Sequence, residues 1–217
     1  MYFILNYNMD KNSITRLIAS GYDFDVKEAF QHGWELFTIK PLLSIGYTGF
    51  IISLQLLFIL YLREYSILYS VFLSGPLFSG FYFVANKLKS GEEIIYPDFF
   101  RGFQYYIPII LIWLIGQILV SIGIVLFVIP GIYLMVAYSL AILLNIFAGL
   151  DFWDSLEYSR RLVTLKWWKF FVLVLFLILM NVVGMFFLVG ILITIPLSFY
   201  VAYCVFEEIT KEALQEE

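Results

Sequence analysis

Six long apolar stretches fix what this chain can fold into, at approximately 41 to 62, 65 to 86, 104 to 128, 131 to 150, 167 to 188 and 190 to 206. No Asp, Glu, Lys or Arg lies deeper than the third residue of any of them. A hydrocarbon core of about 30 Å is crossed by about 20 apolar helical residues. Strands of a membrane barrel would alternate polar and apolar residues, whereas these stretches are continuously apolar, so helices are expected. Composition agrees: 14% of the residues are charged and 62% hydrophobic, against roughly a quarter charged in a soluble domain. That balance excludes a water-soluble globule. Low charge, the lack of a heptad seam and a lone Cys204 likewise exclude disorder, a coiled coil and a disulfide scaffold. The last two stretches are short together, which leaves a re-entrant hairpin open as an alternative with both ends on one side.

The charges orient the bundle. Arg63 and Glu64 alone fall between the first two stretches, and the other twelve basic residues fall on the opposite side. By the positive-inside rule this predicts a multi-pass protein of the cytoplasmic (inner) membrane with both termini in the cytoplasm. The N-terminal stretch gains Asp10, Lys11 and Arg16 before any long apolar core, so a cleaved signal peptide is not expected. The net charge is −4, yet Lys and Arg cluster where an anionic inner leaflet would meet them. Membrane lipids are therefore the expected partners, with a protein partner or a second copy of the chain left open, and no nucleic acid.

The domain organisation reads as a cytoplasmic segment 1–23, one membrane domain 24–208 and a cytoplasmic tail 209–217. Ahead of the first span, Asp25 to Lys40 predicts an amphipathic helix capped by Asp25, with Val26, Phe30, Trp34 and Phe37 along its apolar face. The pattern recurs 126 residues later, where Phe152, Leu156, Ser159, Val163 and Trp167 form the stripe and four of sixteen positions are identical. A shorter version opens at Pro97 and Asp98. Each acidic start precedes a pair of spans, and each pair holds a proline, Pro76, Pro130 or Pro196, at a bend or turn. These features predict three units, about 24–89, 97–150 and 151–208. Trp34, Trp153, Trp167 and Trp168 belong to the surface segments, as interfacial aromatic anchors do. Arg160, Arg161, Lys166 and Lys169 beside them are the candidate contacts to anionic lipid heads.

Sites for chemistry are scarce. One histidine, His32, and one cysteine cannot assemble a nitrogen-and-sulfur zinc site, and no phosphate loop, dinucleotide turn or nucleophile elbow occurs. No catalytic residue, metal or cofactor is expected. A carboxylate site from Asp25, Glu28, Asp151, Asp154 and Glu157 is conceivable, but helix caps explain the same residues. The candidate cavity or interhelix polar residues are Gln55, Gln117, Asn145 and Asn181. Apart from Lys169 at the edge of the fifth, no Asp, Glu, Lys, Arg or His lies within the spans, which argues against ion-coupled transport.

The segment Gly123 to Leu140, GIVLFVIPGIYLMVAYSL, is followed by Asp151, Ser155, Ser159 and Arg160 and then by Lys166, Trp167 and Trp168. Together with GILITIPLSFYVAY from Gly190 to Tyr203, it resembles a bacterial and archaeal superfamily of six-span membrane proteins. That superfamily includes YciC-like proteins and the membrane domain attached to some glycerophosphodiester phosphodiesterases. The resemblance covers about residues 24 to 208 and implies a helical bundle with cytoplasmic termini. It carries over no enzyme activity, because the phosphodiesterase chemistry belongs to a separate soluble domain. The expectation is an all-α polytopic membrane protein, non-enzymatic, accessory or structural, engaging lipid or a partner through its cytoplasmic helices. The alternative is a carrier for a lipid or small amphiphile without intramembrane charge coupling.

Overall fold

The computed structural model describes residues 11–187 and 189–215, and these are all-helical apart from their connections. The first ten residues, Leu188 in the last expected turn and the final two residues of the tail lie outside the described residues. In chain order come α1 (Lys11–Ser20), α2 (Val26–Ile39) and α3 (Pro41–Leu60). A 3-10 turn (Arg63–Tyr65), the single turn α4 (Ser66–Leu68) and a π-helical turn (Tyr69–Leu73) lead into α5 (Ser74–Lys89). A 3-10 helix (Tyr96–Tyr105) precedes α6 (Tyr106–Leu126), α7 (Val128–Ala137) and α8 (Ala141–Ala148). The chain ends with α9 (Phe152–Leu165), α10 (Trp167–Phe186) and α11 (Ile191–Gln215). The pair α9 and α10 has the bounds of α2 and α3 shifted by 126 residues.

Six helical segments are long and apolar enough to cross a membrane, and they arrange in three antiparallel pairs. The first members, Pro41–Leu60, Tyr96–Leu126 and Trp167–Phe186, are only 22%, 28% and 17% buried within the protein. The second members, Arg63–Lys89, Val128–Ala148 and Ile191–Lys211, are 56%, 56% and 44% buried. The second member of each pair is therefore an inner span and the first an outer one. The inner spans meet at the end that carries the basic residues. There Phe147 packs on Phe83, Tyr203 and Phe206, and Asn86 Nδ2 donates to Tyr203 OH at 2.9 Å. Toward the opposite end the large apolar side chains stand exposed, among them Leu60, Ile67, Val125, Phe127, Ile129, Met185 and Phe186. So broad an apolar surface is stable in hydrocarbon and not in water.

Each helix that precedes an outer span packs on the inner span of another pair. Helix α2 lies against α11, the 3-10 helix against α5, and α9 against α7 and α8. Small residues set the distance, as expected where backbones approach closely. A Cβ at Gly33 would stand 2.5 Å from Val201 Cγ2, and one at Gly102 would stand 2.1 Å from the Pro76 carbonyl oxygen. Ser159 occupies the position 126 residues after Gly33 and reaches the fourth span, as described below.

Caps and breaks follow local chemistry. Asp25 Oδ1 accepts from the Lys27 and Glu28 amides at 2.7 and 3.1 Å, and Asp151 Oδ1 accepts from the Asp154 amide at 2.9 Å, satisfying first-turn N–H groups. Gly149 ends α8 in the left-handed conformation, φ 65°, which a side chain would disfavour. Pro130 sits in the first turn of α7, directly after the extended Phe127, as a turn-forming proline should. Pro76 lies in the first turn of α5, and the irregularity in that span is the π-helical turn just before it. Pro196 is carried inside a continuous α11.

One face assignment differs from the sequence pattern. The buried residues of α2 are Ala29, Gly33, Leu36 and Phe37, while Trp34 is 50% exposed and Phe30 lies at the margin. Ala29 and Gly33 face the neighbouring helix together with Leu36 and Phe37, and the bulkiest residue, Trp34, faces outward, because lipid is as apolar as a protein core and does not drive large side chains inward.

Candidate functional site

Three of the four surface tryptophans stand open at the charged end: Trp34 on α2, Trp153 on α9, and Trp168 at the start of α10, which is 72% exposed. Trp167 instead stacks on Phe171 and Tyr133, with ring centroids 5.1 and 6.3 Å away. The four cations beside them are engaged by carboxylates of the same chain. Arg160 donates from Nε and Nη2 to Glu157 at 2.9 and 2.8 Å, and Arg161 Nε donates to the same carboxylate at 2.7 Å. The hydrogen bonds from Arg160, reinforced by those from Arg161, draw the Glu157 carboxyl down to about 2. Lys169 reaches Asp23 at 2.6 Å and the Phe24 carbonyl at 3.0 Å, and Lys166 approaches Asp23 at 3.7 Å. The hydrogen bond from Lys169 lowers the Asp23 carboxyl below its ordinary value. Lys11 pairs with Asp154, Lys87 with Asp98 at 3.0 Å and Lys89 with Glu207 at 3.2 Å. The three rings are thus exposed to the surroundings while the neighbouring charges are largely answered.

The four intramembrane amides divide into two kinds. Asn145 Nδ2 donates to the Leu150 carbonyl at 2.7 Å, closing the end of α8. Asn181 Nδ2 donates to Ser198 Oγ at 2.6 Å and to the Leu177 carbonyl at 2.8 Å, joining α10 to α11. Both serve as links within the bundle. Gln55 and Gln117 are exposed on outer spans. Gln117 lines a groove of about 360 Å³ between α6 and the fourth span, and Asn181 borders a shallower one between α10 and α11.

Other polar contacts hold the spans at the charged end. Tyr47 OH on α3 donates between two carbonyls, Leu77 at 2.9 Å on α5 and Phe99 at 3.0 Å on the 3-10 helix. Ser44 and Tyr200 share a 2.7 Å hydrogen bond between α3 and α11. Ser159 on α9 bridges the interruption between α7 and α8: its hydroxyl donates to the Ala137 carbonyl at 2.7 Å and accepts from the Leu140 amide at 3.2 Å. Of this set Tyr200 carries a sequence signal, as one of the tyrosines that recur after the span prolines.

The carboxylates considered for a carboxylate site do not gather. Asp25 and Asp151 cap separate helices, Asp154 pairs with Lys11 and Glu157 with two arginines. Among the described residues no group of three or more His, Cys, Asp or Glu side chains could hold an ion. Comparison with protein-family models, curated proteins and solved structures finds no match for this chain.

Proposed function

We propose that this multi-pass membrane protein is a non-enzymatic accessory or structural component of the cytoplasmic membrane, both termini inside, that grips the membrane surface through aromatic side chains. The observation that carries this reading is the exposure of Trp34, Trp153 and Trp168 beside cations already paired with Glu157 and Asp23. Indole rings favour the headgroup region because they join an apolar body to a hydrogen-bonding edge. Lipid contact through rings is supported over a clamp of free cations, because an answered cation has less to offer a phosphate. The bonding of Asn145 and Asn181 within the bundle also supports a structural role. The resemblance to the YciC-like superfamily fits this reading, since its residues fall in the turn between the third and fourth spans and in α11.

Depth-dependent fluorescence quenching tests the proposal. In bilayers containing brominated lipids, bromine near the headgroups should quench a component that disappears in the Trp34→Phe/Trp153→Phe/Trp168→Phe variant. If bromine at every depth leaves that component unquenched, the rings do not touch lipid and the reading is wrong. A second reading, the carrier of a lipid or small amphiphile, is favoured by one feature, the side groove at Gln117.

A further inference from the structure

The groove between α6 and the fourth span has a composition unlike the rest of the lipid-facing surface. Trp113, Gln117 and Ser121 recur at four-residue spacing on α6, so they form one stripe, and Tyr138 faces them across the groove from the interrupted fourth span. Gln117 and Ser121 are both exposed, and neither makes a hydrogen bond to another described residue. Among the other span hydroxyls, those of Thr48, Ser74, Ser198 and Thr210 bond to backbone carbonyls one turn earlier, while the buried Ser139 and Thr194 hydroxyls find no partner among the described residues. Gln117 lies near the middle of the 21-residue α6, where water is scarce and an unmet amide is unfavourable. A partner from outside the chain would relieve it.

The lining specifies that partner. No Asp, Glu, Lys, Arg or His borders the groove, so a charged headgroup would gain no direct counter-charge at a depth where charge is costly. The amide NH2 of Gln117 and the hydroxyl of Ser121 supply two donors on side chains one helical turn apart, their Cβ atoms about 5–6 Å from each other. Trp113 and Tyr138 offer flat apolar faces beside them. We propose that this groove binds an uncharged lipid whose polar part carries two carbonyl oxygens about one helical turn apart, with its tail along the exposed Ile118 and Ile122 of α6. Two lipid classes present such oxygens, a tailed quinone through its ring and a diacylglycerol through its esters. The inference does not depend on the accessory role proposed above, which rests on different residues.

The test uses the full-length protein in lipid nanodiscs, with the other four tryptophans changed to phenylalanine so that Trp113 reports alone. Decyl-benzoquinone and dioleoylglycerol are titrated separately, with phosphatidylglycerol as the charged comparison. Saturable change in Trp113 emission with one of the two uncharged lipids supports the site and identifies the source. Gln117→Leu should weaken that binding roughly tenfold, about the worth of one hydrogen bond to an otherwise unmet group, while Gln55→Leu, an exposed amide outside the groove, should not. Native mass spectrometry on the protein with all its tryptophans repeats the comparison without the phenylalanine changes. Equal binding to Gln117→Leu, equal binding of phosphatidylglycerol, or dimerisation that itself protects Trp113 would each overturn the proposal.

Discussion

Gly80 should be among the least replaceable residues of the protein. It faces the 3-10 helix so closely that a Cβ would stand 1.8 Å from the Phe99 carbonyl oxygen and 2.7 Å from its carbon. Non-bonded heavy atoms settle at about 3.5 Å or more, so Gly80→Ala must push the 3-10 helix away by on the order of 1.5 Å. The obstructing atoms are backbone and cannot rotate aside. Displacement lengthens the 3.0 Å hydrogen bond from Tyr47 OH to the Phe99 carbonyl. It also loosens the fully buried Phe99 ring from Tyr47 and Phe81, whose centroids lie 4.5 and 5.7 Å away. Overpacking costs about 1–3 kcal/mol and the lost hydrogen bond about 1 kcal/mol, while alanine returns about 0.5–1 kcal/mol of helix propensity. The net loss is about 1–3.5 kcal/mol, a fall of roughly 2–14 °C in the unfolding midpoint. Circular dichroism in detergent micelles would measure it. At Gly46 and Gly49 on α3, a Cβ would meet nothing within 4 Å, so Gly46→Ala and Gly49→Ala should be neutral or slightly stabilising. If Gly80→Ala melts with those controls, the close packing of the 3-10 helix on α5 is refuted.

Ser159→Ala removes the hydroxyl that serves both the Ala137 carbonyl and the Leu140 amide. The same unfolding assay should show a loss of about 1–3 kcal/mol, the cost of leaving buried backbone groups unmet, and a variant as stable as the parent would show that the hydroxyl is not needed there. Glu157 contributes through its charge: its carboxyl is depressed from 4.5 to about 2, so its stabilisation is present above pH ~4.5 and fades as pH falls toward ~2. Solvent screening at this partly exposed site limits the contribution to about 1 kcal/mol. Unfolding midpoints measured across that range should fall less steeply in Glu157→Gln than in the parent, and identical slopes would count against the assignment.

The spans were readable because lipid penalises charge wherever it occurs, so the positions of thirty charged residues outline six helices. Which spans lie inside was not readable. Outer α10 and inner α11 are both apolar, and in a solvent as apolar as leucine the side chain's bulk does not reveal its direction. The same physics hid the working face of α2, where Gly33 touches Val201 and the larger Trp34 points away. The state of the basic cluster was hidden for another reason. Lys169 and Asp23 are 146 residues apart, so only the folded chain shows that the lysine is answered. The interruption at Tyr138 to Leu140 left no mark because neither proline nor glycine makes it. Its hydrogen-bond partner, Ser159, arrives from another helix.

Helix regularity and lipid exposure vary together in this protein, and each accounts for the other. The outer segments α3, α6 and α10 are unbroken helices of 20, 21 and 20 residues. Their only prolines, Pro41 and Pro108, stand in first turns, where the missing N–H would have had no partner in any case. Apart from the 3-10 helix that opens the second outer span at the charged end, the departures fall on inner spans: the π-helical turn at Tyr69–Leu73, the interruption after α7 and the interior Pro196. A backbone group freed within hydrocarbon must be met by protein or left at a cost of several kcal/mol, so breaks survive only where neighbours can reach them. Ser159 from α9 supplies that contact for the fourth span. Near Pro196, whose ring removes the bond to the Leu192 carbonyl, Ser198 donates to the Thr194 carbonyl while accepting from Asn181 of α10, which ties the span to its outer neighbour. The helices at the charged end therefore do more than precede the spans. By packing on α7 and α8 of another pair, α9 lets the fourth span break within a membrane that would otherwise require it to be straight.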